Sequence, residues 1–294
     1  MSSKNYILYK DRPEWEDVHP LPLLQQPGDP FPVAYTTEYE DMLGYFFAVL
    51  ERKEVSARAM EITERVIKTI PSHYTAWWFK FYLLERMEYD FDRELEFLNK
   101  CIVDCPKSYQ SWHYRMWLVE RAENKPDEVA FVRKVFCYDA KNFHAWTYIL
   151  WFGQKYGAQP VYQLSLDLIE EDPRNNSAWN GRKTTGDLLG VDPKTEFKAA
   201  ADSIRQITKN EASINFALAM YEKDPSLLPE LRDLAREMVE RNSENPHALR
   251  MQLFVATIDN DRDQITELCK KLCEADPLRE NYYNLVANGT LSYR

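Results

Sequence analysis

Apolar residues in this chain recur at helical spacing in short blocks, and the blocks themselves repeat. Leu95, Leu98 and Ile102 form one such stripe, and Val132, Val135 and Phe136 form another. The tryptophans set the period. Trp77, Trp112, Trp146 and Trp179 follow one another at intervals of 35, 34 and 33 residues, each closing a similar phrase: HYTAW, SYQSW, NFHAW and NNSAW. The register continues through Ile214, Leu249 and Tyr283, which gives seven units of about 34 residues. Each phrase opens a helix, with a Ser, Asn or Thr available to cap it, and a second helix follows. Asp104 with Pro106, Asp139, Asp172 with Pro173 and Asp276 with Pro277 end the units, because proline stops the helix behind it. One further pair, Glu38–Arg52 and Ser56–Thr69, is predicted ahead of the first tryptophan. Upstream, Pro13, Pro20, Pro22, Pro27, Pro30 and Pro32 predict an extended arm over 1–35, leaving 36–294 as a single helical-repeat domain.

A lone helix pair cannot hide its apolar face, so such units must stack into an array. The expected fold is all-α: a right-handed superhelical crescent of helix pairs, with the tryptophans buried between neighbours. Composition agrees, since only 8 of 294 residues are glycine, where average usage would give about twenty. The formal net charge of −10, without any basic run, argues against nucleic-acid partners. No apolar stretch of membrane-spanning length occurs, and no leader precedes the first unit. Five cysteines, odd in number and lacking a C-x-x-C pair, read as free thiols of a cytoplasmic protein. The pairs Cys101/Cys105 and Cys269/Cys273 have no histidine or second pair nearby to complete a metal site.

After the tryptophan comes a W-x-x-R pattern at Arg115 and Arg182, where a tetratricopeptide array would carry Leu-Gly and then Tyr. An arginine three residues on shares the tryptophan's helical face and is expected to bond carbonyls or carboxylates of the next pair. Together with YILYKDRPEWEDVHPLP (6–22), YEDMLGYFFAVLERKEVSARAMEITERVI (39–67), PKSYQSWHYR (106–115) and DAKNFHAW (139–146), this pattern resembles the protein prenyltransferase alpha subunits. The resemblance runs from residue 6 to about 220, and within the family it points to the farnesyltransferase and geranylgeranyltransferase type I branch.

The resemblance implies an alpha subunit that wraps a beta subunit and is not active alone. The heterodimer would transfer a farnesyl or geranylgeranyl group from its diphosphate to the cysteine of a C-terminal CaaX motif. Zinc would be held by the beta subunit, not by this chain, with magnesium an optional cofactor of the farnesyl reaction. Lys107 matches the lysine that meets the prenyl diphosphate. Tyr109 matches a tyrosine of the prenyl channel, and Gln110 the glutamine that binds the acceptor's terminal carboxylate. Lys141, Asn142, Phe143 and His144 would border the isoprenoid and peptide, whereas His113 reads as an ordinary helix-pair histidine. Several positions depart from the family pattern: Ser108 for asparagine, Phe143 for tyrosine, Lys80 and Ile149 for arginine, and Phe47 for the arginine of YFR. The rival reading is a non-catalytic, tetratricopeptide-like scaffold that binds a protein or peptide. A stand-alone hydrolase has no motif to support it.

Overall fold

The computed structural model describes residues 7–23, 30–31 and 33–293, so Pro27 and Pro32 of the predicted arm lie outside the described residues. The described residues hold fifteen α-helices and no strand. The chain forms two compact units, Met1–Pro126 and Asp127–Arg294.

The first unit holds α1 (Thr37–Glu51), α2 (Ala57–Thr69), α3 (Tyr74–Leu84), α4 (Phe91–Asp104) and α5 (Tyr109–Arg121). Its N-terminal segment carries two short 3-10 turns and lies on α1. Tyr9, Trp15 and Val18 are buried there, and Trp15 meets Tyr9 and Tyr45 edge-on, with centroids 5.0 and 5.4 Å away. The Asp41 carboxylate accepts the N–H groups of Tyr9 and Lys10. Leu21 N–H donates to the Gly44 carbonyl, an approach that needs glycine, since a Cβ there would lie 2.9 Å from Leu21 O. The Arg58 fork grips both oxygens of Asp17, holding that carboxyl down at about 2.

The second unit holds α6 (Glu128–Phe136), α7 (Phe143–Tyr156), α8 (Gln159–Glu171), α9 (Asn176–Leu189) and α10 (Pro193–Gln206). It continues through α11 (Glu211–Lys223), α12 (Leu228–Arg241), α13 (Pro246–Ile258), α14 (Arg262–Ala275) and α15 (Glu280–Ala287). Trp77, Trp112, Trp146, Trp179, Ile214, Leu249 and Tyr283 are each the fourth residue of their helix, and all seven are buried.

The tryptophans keep their place by two forces. Burial of the ring supplies the hydrophobic part. The indole N–H supplies the other, donating at 2.9 Å to the carbonyl six residues back: Pro71, Pro106, Ala140 and Pro173. Two of these turn carbonyls, Ala140 and Pro173, take a second donor from the next repeat, and Thr208 at the same register takes the equivalent one. Asn175 Nδ2 donates to Ala140 O, Asn210 to Pro173 O and Asn245 to Thr208 O, while each Oδ1 caps its own helix. One asparagine side chain thus closes a helix start and ties two repeats together.

The residue three beyond the tryptophan builds a polar spine. Lys80, fully buried, places Nζ 2.9 Å from Glu64 and 2.8 Å from Glu94, and Tyr114 donates its hydroxyl to Glu94. Arg182 forks onto Glu196 at 2.6 and 3.1 Å. Glu94 and Glu196 sit on the second helix of the same pair and Glu64 on the second helix of the pair before, not on the next pair as the sequence suggested, and Arg115 reaches back to Asn99. Glu94 also corrects the expected stripe on α4: the buried face runs through Glu94, Phe97, Leu98, Cys101 and Ile102, with Leu95 only half-buried. In the repeat where Ile149 replaces the cation, the other members change as well. Val161 takes the buried place at the start of α8, and Gly181 stands where a tyrosine would follow. A Cβ at Gly181 would come within 2.4 Å of the Trp146 ring. A buried carboxylate without its cation is costly, so the set is replaced together.

His73 caps α3, its Nδ1 accepting the Ala76 N–H at 3.1 Å. Burial holds its pKa below the ordinary histidine value. The neutral ring therefore belongs to the folded chain, and the unfolded chain takes up the proton first as pH falls. Stability from this site is present above about 6.5 and lost as pH drops through the folded value. Melting of His73→Asn, which keeps the cap, should be flatter than wild type between pH 7 and 5, with His247, also lowered by burial, left in both. Parallel curves would remove His73 from the account.

Candidate functional site

Three of the expected site residues cluster at the start of α5. Ser108 is the N-cap, buried, with its hydroxyl oxygen accepting the Ser111 N–H. Lys107 precedes it and is exposed, so its ammonium stands at the positive end of the helix. Tyr109, the first helical residue, is 65% exposed. Gln110 is half-buried and turns toward an apolar cavity of about 360 Å³ lined by Tyr74, Trp77, Trp78, Phe81, Tyr109, Gln110 and His113. An exposed cation, a helix N-terminus and a carboxamide beside an aromatic cavity suit an amphipathic ligand with an anionic end.

The remaining expected residues open α7 in the second unit. Asn142 is buried as the N-cap, its Oδ1 accepting the Ala145 N–H at 2.9 Å, so this carbonyl serves the helix. Lys141 is exposed and lies 3.6 Å from Asp172, a surface ion pair. Phe143 is 67% exposed and meets His144 edge-on at 5.6 Å. Phe143 and His144 offer a face to a ligand, whereas Asn142 is built into the scaffold.

Sequence reading missed Tyr74, Trp78 and Phe81, and placed His113 in the helix pair although it is exposed at the cavity. A signal was present in the register. Tyr74, Tyr109 and Phe143 all stand three residues before the repeat tryptophan, and all are more than 60% exposed. Large aromatic side chains left exposed at first helical positions are candidates for ligand contact within each unit.

Among the described residues, no three His, Cys, Asp or Glu side chains are grouped to hold a metal ion. All five cysteines are free, and burial pushes the Cys101 thiol up to about 12 and Cys269 to about 11. Such thiols do not supply thiolate at neutral pH. No described helix is long and apolar enough to cross a membrane.

The protein prenyltransferase alpha subunit repeat matches residues 56–87, 91–122, 126–156 and 161–185, each stretch joining the second helix of one pair to the first of the next. The protein farnesyltransferase/geranylgeranyltransferase type-1 subunit alpha of Dictyostelium discoideum is 32% identical, over 96% of this chain and 94% of its own length. The chain belongs to the protein prenyltransferase alpha-subunit family. The Pisum sativum member of that family is 30% identical over 92% of each chain. Candida albicans protein geranylgeranyltransferase-I complexed with GGPP has a chain of the same fold, with a TM-score of 0.85 at 21% identity, covering 99% of this chain and 100% of that one.

One of two departures from the prenyltransferase alpha-subunit pattern has a structural explanation. Ile149 is buried in an apolar substitute for the polar spine. Phe47 is half-buried against His73 and lines a groove with Leu21, Pro22, Leu43, Leu50 and Glu51; nothing in the structure explains the loss of the arginine there.

Proposed function

We propose that this chain is the alpha subunit of a heterodimeric protein prenyltransferase of the farnesyltransferase/geranylgeranyltransferase type-1 class. The reading rests above all on Lys107, Tyr109 and Gln110 standing together at the start of α5, beside an aromatic cavity. The acceptor is a protein ending in a CaaX motif, and the donor is farnesyl or geranylgeranyl diphosphate. The cysteine sulfur forms a thioether bond to C1 of the prenyl group while the C1–O bond breaks and diphosphate leaves with the electron pair. Negative charge grows on the diphosphate as that bond loosens, and the Lys107 ammonium stabilises it most in the transition state. Gln110 donates from its carboxamide to the acceptor's terminal carboxylate, Tyr109 lines the prenyl channel, and Lys141, Phe143 and His144 border the isoprenoid and peptide, while Asn142, buried as the N-cap, holds that helix start.

The family resemblance assigns the zinc of the reaction to the beta subunit, with magnesium an option in the farnesyl reaction. The repeats over 36–294 act as one domain behind the arm of residues 1–35. The free cysteines support a cytoplasmic enzyme.

The test is coexpression with a farnesyltransferase or geranylgeranyltransferase type I beta subunit, purification through a tag on that partner, and assay with a CaaX peptide. Copurification with prenyl transfer is expected. A complex inactive with both beta subunits would overturn the catalytic reading. Absence of any complex would return the chain to the scaffold reading.

A further inference from the structure

We propose that Ser108 is a positioning residue that sets which end of the Gln110 carboxamide faces the acceptor, an inference that rests on Gln110 binding the terminal carboxylate. At this register position Asn142, Asn175, Asn210 and Asn245 carry carboxamides, and Ser108 carries a hydroxyl. Where an asparagine stands, its oxygen caps the helix and its NH2 group holds the turn carbonyl of the preceding repeat, as at Asn175, Asn210 and Asn245. A hydroxyl has one proton and two lone pairs. The Ser108 oxygen accepts from Ser111 N–H at 3.3 Å and from the Ser111 hydroxyl at 3.0 Å, which uses both lone pairs. Its proton has two acceptors in reach: Pro71 O at 3.3 Å and Gln110 Oε1 at 3.2 Å. Pro71 O already accepts the Trp77 indole N–H at 2.9 Å. Pro71 O can take a second donor, as Ala140 O and Pro173 O do, but it keeps its indole partner either way, whereas Gln110 Oε1 is the nearer acceptor and has the Ser108 hydroxyl as its donor. The proton is therefore assigned to Gln110 Oε1.

The consequence is polarity. A carboxylate only accepts, so it needs the NH2 end of the carboxamide and is repelled by the oxygen end. With Oε1 tied back to the buried cap, Nε2 and its two donors are left for the cavity that Gln110 lines. Without the hydroxyl, the amide can rotate and present either end. Ser108 never touches substrate; it fixes the donor that does.

The experiment uses the heterodimer with two peptides, one ending in a free carboxylate and one in a C-terminal amide, and compares KM and kcat. Ser108→Ala should raise KM for the carboxylate peptide about five- to tenfold, the size of one neutral hydrogen bond. Its kcat should stay within about twofold, and KM for the amide peptide should not rise. Ser108→Thr, which keeps cap and proton, should restore the wild-type KM. Alanine also weakens the helix cap, so Ser108→Gly, a cap-competent residue without a hydroxyl, should show the same KM change. Gln110→Ala separates the two levels of the argument. If it leaves the preference for carboxylate over amide intact, the parent reading of Gln110 falls. If it abolishes the preference while Ser108→Ala and Ser108→Gly retain it, the Ser108 inference is overturned and the parent reading stands.

Discussion

In the heterodimer, Lys107→Ala is expected to lower kcat by about 10²- to 10³-fold while the two subunits still copurify, the scale of losing one preorganised donor at a developing charge. Lys107 lies outside the core: it is exposed, ahead of the N-cap of α5, so removing it leaves the buried packing of its helix intact. Its effect should fall on kcat more than on KM, because diphosphate carries more charge at its bridging oxygen as C1–O cleaves. Lys107→Arg keeps the charge and should recover part of the rate. Single-turnover measurements with saturating prenyl diphosphate check this directly. Unchanged turnover in Lys107→Ala would remove the lysine from the reaction.

The second large effect concerns stability. Lys80→Met is expected to destabilise the chain by about 3–5 kcal/mol, the cost of leaving a buried carboxylate unpaired. Lys80 is fully buried between Glu64 and Glu94, with its ammonium also 4.3 Å over the Phe97 ring. Methionine fills the volume, so the loss is one of charge and not of packing. Adding Glu94→Gln to the methionine variant should regain part of the loss, because a neutral amide can still accept from Tyr114. Urea unfolding followed by circular dichroism reads both variants. A single variant with the wild-type midpoint would mean that Lys80 contributes no net stability.

The array was legible because its ruler is covalent in the sequence: tryptophans one period apart, each fixed as the fourth residue of a helix. The ends of α1 and α2 fell within a residue of expectation, since Thr36 and Ser56 are good caps. The polar spine was not legible. Glu94, Glu128 and Glu196 sit in the first turn of their helices, where an acidic residue ordinarily reads as a solvated partner of the helix dipole. All three are buried, and their partners lie on other helices: Lys80 and Tyr114 for Glu94, Tyr148 for Glu128, and Arg182 and Tyr162 for Glu196. At the candidate site, Lys107, Tyr109 and Gln110 came from a motif. Trp78 and Phe81 did not, because an aromatic residue on an apolar helix reads as core until its exposure is known. The N-terminal prolines suggested an arm, but not that Tyr9 and Trp15 would be among the buried side chains of the first unit.

The replacement of the spine at Ile149 bears on how such a chain can be recombined. A cation, the carboxylate of its paired helix and the tyrosine that follows belong to two successive repeats, so a single repeat is not a self-contained module. A crossover placed after Val161 that brought in a tyrosine at 181 would drive its ring into Trp146, since even a Cβ there meets that side chain. A crossover between Lys80 and Glu94 that brought in Val161's counterpart would strand an ammonium with one carboxylate in place of two. Viable chimeras should therefore cut outside these sets; around Lys80 the set runs from Glu64 on α2 to Tyr114 on α5, so the exchangeable block there is four consecutive helices.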